Sequence, residues 1–383
     1  VATNADATCV CKYIFRYQMN AIHSILPEVT VETRTMNLLH FILLILFRSS
    51  DGSSGAEEPK IPTDAQYSKD DSHHEKSDVS VPYNFDEYQT FDTMVSYMKD
   101  LSIRFPTLTT LLNIGTTHEG RELLLMKITY PKDNNISNTK PAVWIDANKD
   151  AFEWITGAVA MKLISELVEN FDRNADLVGK YVWYVMPMAN PDGYSFTWTT
   201  YPYWRKNRSP GIDAIGVDLN RNFPVYWRAG QGDNQCYDRF SGIEPLTEKE
   251  TSAISKVILE NKINIKMYVT LNSRVQMITF PYGGGDETPS NYDQLYSIST
   301  QAVDAIKKFS GNTFFNGRTL DIMSLQGGRS DDWAYAVAGI PLVFTFELRS
   351  QSFSQIHPKE ISSAFQDFFV GIKVMVNNIT ITN

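Results

Sequence analysis

The run Ala142-Val-Trp-Ile-Asp-Ala147 is apolar on both faces of an extended chain apart from Asp146. It leads through Asn148-Lys-Asp-Ala-Phe-Glu-Trp-Ile155 into a helical pattern from Thr156 to Phe171. A strand with apolar residues at odd and even positions must be covered on both sides, as the inner strands of an α/β sheet are. The helix that follows supplies one of the covers. Open α/β sheets carry their sites at the carboxyl ends of strands. The turn 146–155 lies at such an end and bears Asp150 and Glu153, so carboxylates closing on the turn can meet at one metal ion.

The rest of the chain continues the alternation. Phe91 to Arg104 places Met94, Val95, Met98 and Leu101 on a helical stripe ended by Pro106. Leu123 to Tyr130, Tyr181 to Met188, Lys266 to Leu271 and Leu342 to Leu348 are rich in β-branched and aromatic residues and read as strands. Between the later strands lie helical patterns, including Thr247 to Glu260, which opens with the capping box Thr247-Glu-Lys-Glu250. No internal repeat is visible. The fold class expected is α/β: a single domain, residues 81–383, with a mixed, mostly parallel central sheet flanked by helices. An apolar content of 43% is ample for one core.

Upstream, residues 1–35 show no sustained periodicity and form an unassigned extension or upstream sequence. Met36 to Phe47 is an apolar run followed by Arg48 and a Ser/Gly stretch to Ala56. A bilayer helix needs roughly 20 apolar residues, so 36–56 reads as a signal peptide and not as a membrane span. Residues 57–80, with Asp70, Asp71, His73, His74, Glu75 and Lys76, are a polar linker too poor in apolar residues to order itself. A net charge of −9 and a pI near 5.3 argue against nucleic acid, whose phosphates need a basic face. The expectation is a secreted, extracellular monomer with no nucleic-acid or membrane partner.

Three further motifs accompany the turn: Trp204-Arg-Lys-Asn-Arg208, Val217-Asp-Leu-Asn-Arg-Asn222 and Phe344-Thr-Phe-Glu-Leu-Arg349. In this order the four motifs make the chain resemble the zinc carboxypeptidases of the pancreatic A/B type over about residues 81 to 383. The resemblance implies a carboxypeptidase-like fold and a zinc held by two histidines and a glutamate. It assigns Glu347 as the catalytic base, Arg208 as the oxyanion partner, and Asn220 with Arg221 as the clamp for a substrate's terminal carboxylate, which a guanidinium fork suits. The metal positions fall on Asp150, Glu153 and Asn272, and a carboxylate that would orient a metal-bound imidazole falls on Asp218. Met323 stands where the family has a tyrosine that closes over substrate. Asp331 lies near the position that supports a pocket for basic residues. The polar linker between the signal peptide and the domain is expected to be too short to hold the family's activation domain.

The departures concentrate on the metal. Asp150 and Asn272 replace both histidines, and the domain's own histidines, His118 and His357, lie in no site motif. An all-oxygen set suits Ca²⁺ or Mg²⁺ better than zinc, so no cofactor is expected. Phe152 replaces an arginine. Ala214 replaces the cysteine that would pair with Cys236, leaving Cys236 a buried free thiol or paired outside the domain; Cys9 and Cys11 are the other cysteines. Gly327 to Trp333 is one residue longer than in the family, and Arg329 stands where it could neutralise Asp331. Asn135-Ile-Ser137 and Asn378-Ile-Thr380 are glycosylation acceptors, whereas Asn207-Arg-Ser209 is discounted because it lies inside a site motif.

The reading favoured is a metallocarboxypeptidase homologue without activity that still binds peptide or protein C-termini. An active peptidase with an atypical metal and an interaction protein with a vestigial pocket are the alternatives. Asp150, Glu153 and Asp218 facing one small site require a shared proton, a hard cation or a basic partner such as Arg274 or Lys149, of which the basic partner is favoured.

Overall fold

Side-chain alternation along β3 (Ala142–Ala147) sets the layering. Val143, Ile145 and Ala147 enter one apolar cluster while Ala142 and Trp144 enter another across the sheet. β5 (Ile265–Ser273) and β8 (Leu342–Leu348) divide likewise: Met267, Val269, Leu271, Phe344 and Phe346 pack on the first face, Tyr268 and Val343 on the second. By the same parity Asp146, Asn272 and Glu347 belong to the second face, and the latter two lie at its carboxyl edge. The computed structural model describes residues 82–131, 140–230, 234–349 and 357–380. All of them lie in one unit, Ser80–Asn383.

The other strands are β1 (Thr109–Thr116), β2 (Glu122–Ile128), β4 (Val182–Met186), β6 (Met277–Phe280) and β7 (Phe315–Arg318), in the order β1-β2-β4-β3-β5-β8-β6-β7. Neighbours from β4 to β8 run parallel, as do β6 and β7, while β1/β2, β2/β4 and β6/β8 are antiparallel. The first face is covered by α1 (Phe91–Arg104), α2 (Trp154–Val168), α3 (Phe171–Lys180), α6 (Tyr292–Ser310) and α9 (Glu360–Val376). The second is covered by α5 (Lys249–Asn261) and α8 (Ser330–Ala336), with α4 (Pro191–Thr199) and α7 (Thr319–Ile322) in the connections. Trp144 and Trp183 are fully buried on opposite faces. Burial of a large apolar side chain is worth about 1.5–3 kcal/mol.

This is the α/β architecture expected, with local corrections. The helix after the turn begins at Trp154 and ends at Val168, and α3 is separate. The capping box does not form: Glu248 is the N-cap of α5, and the Thr247 hydroxyl donates instead to the Glu244 carbonyl and the Glu248 carboxylate. β1, β6 and β7 were not legible as strands. Cys236 is disulfide-bonded, which overturns the free-thiol alternative. The segments 1–35, 36–56 and 57–80, the cysteines at 9 and 11, and Asn135-Ile-Ser137 fall outside the described residues. Among those described, no helix is long and apolar enough to cross a membrane.

Two asparagines fold the site's backbone. Asn148, at φ 55°, turns the chain after β3, with its N–H on Thr156 Oγ1 at 3.0 Å. Asn190 caps α4 by accepting from Gly193 N, and its amide donates to the Lys149 carbonyl at 2.9 Å and the Arg205 carbonyl at 3.4 Å. Ala151 N also donates to the Arg205 carbonyl, at 3.0 Å, so the loop 204–208 is laid along the turn 148–153. Gly193 makes this possible, because a Cβ there would stand 2.4 Å from the Lys206 carbonyl oxygen and 2.8 Å from Ala151 Cβ. Gly193→Ala is expected to cost about 1–3 kcal/mol in urea unfolding through this overlap. An unchanged midpoint would show that the two loops are not closely docked.

Candidate functional site

The docking of these loops sets the Arg205 guanidinium between two carboxylates. Its Nη2 meets Asp150 Oδ2 at 2.5 Å and its Nε donates to Asp218 Oδ2 at 2.8 Å, all three side chains being at most 4% exposed. The guanidinium also lies 5.8 Å from the centre of the Phe152 ring, within cation–π range. Burial pushes the Asp218 carboxyl up, but Arg205 and Arg221 outweigh it and hold the group below its ordinary value. For Asp150 burial prevails over Arg205, and Asp218 pushes in the same direction, so its carboxyl is raised. The expectation of a basic partner is met by a residue the sequence reading did not name. Lys149 is committed elsewhere, bonded to Asp146 and to Thr270 Oγ1 inside the sheet, where Tyr268 OH and Trp144 Nε1 also donate to Asp146. Arg274 acts on Asp150 and Glu153 through space only.

Glu153 and Glu347 are less well compensated. Glu153 Oε2 accepts from Ser273 N at 2.8 Å; burial, Asp150 and Glu347 together push its carboxyl well up. Glu347 is raised by burial, and the Asn272 amide leans on its Oε1 at 3.4 Å across the β5/β8 register. Asp150 Oδ1, Glu153 Oε1, Asn272 Oδ1 and Glu347 Oε2 are buried without a hydrogen-bond partner among the described residues.

The clamp residues lie beside this cluster. Asp218 caps the short turn Leu219–Arg221, and Arg221 donates to the Asn220 carbonyl and to Gln326 Oε1, each at 2.6 Å. Gly328, at φ 70°, lets the following loop close on Arg221, since a Cβ would lie 2.1 Å from the Arg221 carbonyl oxygen. Burial, aided by Arg205 and Arg329, pushes the Arg221 guanidinium down to about 9. Asn220 Oδ1 accepts from the Ser330 hydroxyl at 3.2 Å. Asp331 is enclosed: Arg329 donates to it at 2.7 and 2.9 Å and Thr345 at 2.7 Å, so its charge is spent on Arg329. Met323 is half-buried at the end of α7. Arg208 stacks on Phe196 and Trp204, at 3.8 and 4.9 Å, with Glu119 at 3.5 Å. The cations felt by the carboxylate cluster are Arg205, Arg221, Arg274 and Arg329.

Sequence reasoning missed three groups. Arg205 stood in a quoted motif, and the gathering of Asp150, Glu153 and Asp218 at one small site was the signal that a cation had to be found. Asn207 is fully buried, as its exclusion as a glycosylation acceptor requires. Its Oδ1 accepts from Val217 N and Ser209 N, and its amide donates to Glu248 at 2.7 Å and Glu250 at 3.1 Å. Burial pushes Glu250 up to about 7, with Glu248 and Asp192 adding to the effect. Of the two histidines, His118 lies 3.9 Å from Glu248, and His357 accepts from Lys359 N.

A mixed α/β sheet whose carboxyl edge gathers these carboxylates and guanidiniums is the architecture of a metallocarboxypeptidase. Residues 94–370 match the peptidase family M14, zinc carboxypeptidase, and the chain belongs to that family. It is 32% identical over 283 residues to zinc carboxypeptidase A 1 of Drosophila melanogaster, covering 73% of this chain and 66% of that protein, just under two thirds of its length. With carboxypeptidase B of Astacus astacus it shares 31% identity over 296 residues, covering 76% of this chain and 96% of the crayfish protein. The crystal structure of the carboxypeptidase A from Helicoverpa armigera superposes with a TM-score of 0.73 at 30% identity, covering 79% of this chain and 76% of that one. Zinc is the cofactor of this family.

Arg205→Met leaves Asp150 and Asp218 buried without their cation and is expected to cost about 3–5 kcal/mol at pH 7. Asp218, with its folded value below the ordinary 3.8, contributes stability above that pH and loses it on acidification. The deficit of the variant in urea unfolding therefore narrows as pH falls below 3.8, toward the lower folded value of Asp218; a pH-independent deficit would assign the loss to packing. Glu250 has the opposite sign. Its folded value of about 7 exceeds the ordinary 4.5, so its contribution is full below 4.5 and is lost as pH rises through 7. Glu250→Gln is expected to be more stable than the parent at pH 8 by on the order of 1–3 kcal/mol, with little difference at pH 4.5. Equal melting profiles at both pH values would contradict this.

Proposed function

We propose that this chain is a secreted member of the zinc carboxypeptidase family that does not hydrolyse peptides and uses the retained clamp to hold peptide or protein C-termini. The observation that carries the reading is the Arg205 bridge. A guanidinium sits against Asp150, the first metal position, where a divalent cation would be repelled. The remaining donors do not fit zinc: Glu153 and Asn272 offer oxygen only, and Asn272 leans on Glu347. Among the described residues no group of three or more His, Cys, Asp or Glu is disposed to hold a metal ion. Without a metal to polarise the scissile carbonyl and activate water, Glu347 has no activated nucleophile to serve. Asn220 and Arg221 are retained in the motif, and Arg221 makes no ion pair among the described residues: its Nη1 and Nη2 donate to two neutral acceptors, the Asn220 carbonyl and Gln326 Oε1, and each has a second N–H to offer a carboxylate. Secretion is supported by the apolar run at 36–47, and the spent charge of Asp331 argues against a preference for basic C-terminal residues.

Mass-spectrometric metal analysis after dialysis is expected to show no stoichiometric zinc, and a blocked dipeptide substrate no turnover. One zinc per chain, or turnover abolished by a chelator, would establish an active enzyme instead. Calorimetry should show peptides with a free C-terminal carboxylate binding at least tenfold tighter than their amides, a preference lost in Arg221→Ala. Equal binding of the two would indicate a vestigial pocket.

A further inference from the structure

Away from the pocket, one neutral side chain holds two buried carboxylates together. The Asn207 amide donates to Glu248 Oε2 at 2.7 Å and to Glu250 Oε2 at 3.1 Å, with Glu248 4% exposed and Glu250 fully buried. The second oxygen of Glu248 accepts from the Thr247 hydroxyl at 2.9 Å, whereas Glu250 Oε1 is buried without a hydrogen-bond partner among the described residues. The neighbouring charges are engaged elsewhere. In the turn after β1, Arg121 pairs with Glu119 and with Asp192 of α4, and the Lys249 ammonium donates to the Thr117 carbonyl at 3.2 Å. On the loop side, Lys206 donates to the Gln235 carbonyl, and Arg208 lies on Phe196 and Trp204 with Glu119 at 3.5 Å. His118 comes nearest. Its Nε2 is 3.9 Å from Glu248 Oε2, and it too is buried without a hydrogen-bond partner among the described residues.

Two adjacent buried carboxylates are poorly served by one neutral amide once both are ionised. A proton on Glu250 removes one charge and an imidazolium at His118 offsets the other, so acid brings the junction to neutrality. Alkali leaves two negative charges there. Burial pushes the Glu250 carboxyl up to about 7, against the hydrogen bonds of its own N–H and of Asn207, and Glu248 and Asp192 add to the rise. An ionised Glu250 is relieved most readily by water at Oε1, and the side chain bonded over it is Asn207. Asn207 does not move alone. Its Oδ1 accepts from Val217 N at 2.8 Å and Ser209 N at 3.3 Å, its own N–H donates to the Val217 carbonyl at 3.0 Å, and its carbonyl accepts from Trp204 Nε1 at 3.2 Å. These bonds join the loop of Arg205 to the segment that leads into Asp218. We propose that Glu248, Glu250, His118 and Asn207 form a proton-operated fastener that docks residues 204–209 on residues 216–218 when protonated and loosens that docking when deprotonated. Glu250 and Asn207 are thereby positioning residues for Arg205 and Asp218. The fastener acts on the loops themselves, whether or not the pocket takes a peptide C-terminus.

Hydrogen-deuterium exchange of the full chain, read by mass spectrometry and corrected for the intrinsic pH dependence of amide exchange, tests this. Peptides covering 205–218 report the amides of Asn207, Ser209, Gly216 and Val217, and peptides from α9 are the reference. Between pH 6 and pH 8.5 the protection of 205–218 is expected to fall by about tenfold, the ratio that an ordinary 4.5 and a buried value of about 7 give for that interval. The α9 peptides are expected to hold their protection. In Glu250→Gln, which cannot ionise, the fall is expected to shrink below about threefold. Protection independent of pH in the parent chain, or a fall of the same size in Glu250→Gln, would overturn the proposal. So would an equal loss in α9, which would assign the change to global unfolding. His118→Gln, at a side chain 24% exposed, is expected to lower the protection of 205–218 at pH 6 by about threefold, and an unchanged value would remove His118 from the fastener. The pH profile of the parent chain and the His118 variant decide the question even if Glu250→Gln does not fold.

Discussion

Two carboxylates at the centre of the site share one guanidinium. Arg205 is enclosed by Asp150, Asp218 and the ring of Phe152, and it reaches them because its own backbone carbonyl is held by Ala151 N and by the Asn190 amide. Taking two carboxylates out of water is costly unless a cation comes with them, and a cation on one rigid loop does this without being recruited from solution. The substitution of Phe152 for an arginine fits the same account. A second guanidinium beside Arg205 would repel it, whereas an aromatic face attracts it at little desolvation cost. Asp150 and Phe152, which look like independent losses when compared with the family motif, are two sides of one enclosure.

The carboxyl edge of the sheet is held by a web of its own hydrogen bonds. Asp218 caps the turn that carries Asn220 and Arg221, Gly328 packs against that turn, and Asn207 ties the loop of Arg205 to Glu248 and Glu250. These bonds form whether or not chemistry takes place at the site. The groups that shape the site are bonded to one another.

The architecture was legible because hydrophobic period dominates it. The apolar runs of β3, β5 and β8 and the stripe of α1 appear in the sequence almost at their true limits, because burial on both faces leaves few other arrangements. β1, β6 and β7 were not: β1, at one edge, is half-exposed with a weakly alternating burial pattern, and β6 and β7 are four residues each, too short to show a period. The capping box failed for a local reason: the Thr247 hydroxyl found a carbonyl and a neighbouring carboxylate before it could reach the helix N–H groups. Within the site, motif positions named the carboxylates and the clamp, but sequence proximity misled the search for their counter-ion. Lys149 adjoins Asp150 in the chain, yet the turn after β3 folds it back onto Asp146, while Arg205 is 55 residues away and touches. Ion pairing in a folded chain follows loop docking, which single-sequence patterns do not encode.

Asp331 shows how a charge can be present in sequence and absent in effect. Arg329, two residues before it, forks onto its carboxylate, and Thr345 closes the remaining side. The helix α8 begins at Ser330 with Arg329 as its N-cap residue, and the Arg329 side chain returns over the first turn. A basic side chain entering the pocket would meet an ion pair and not a free carboxylate, and breaking a buried pair to form another gains little.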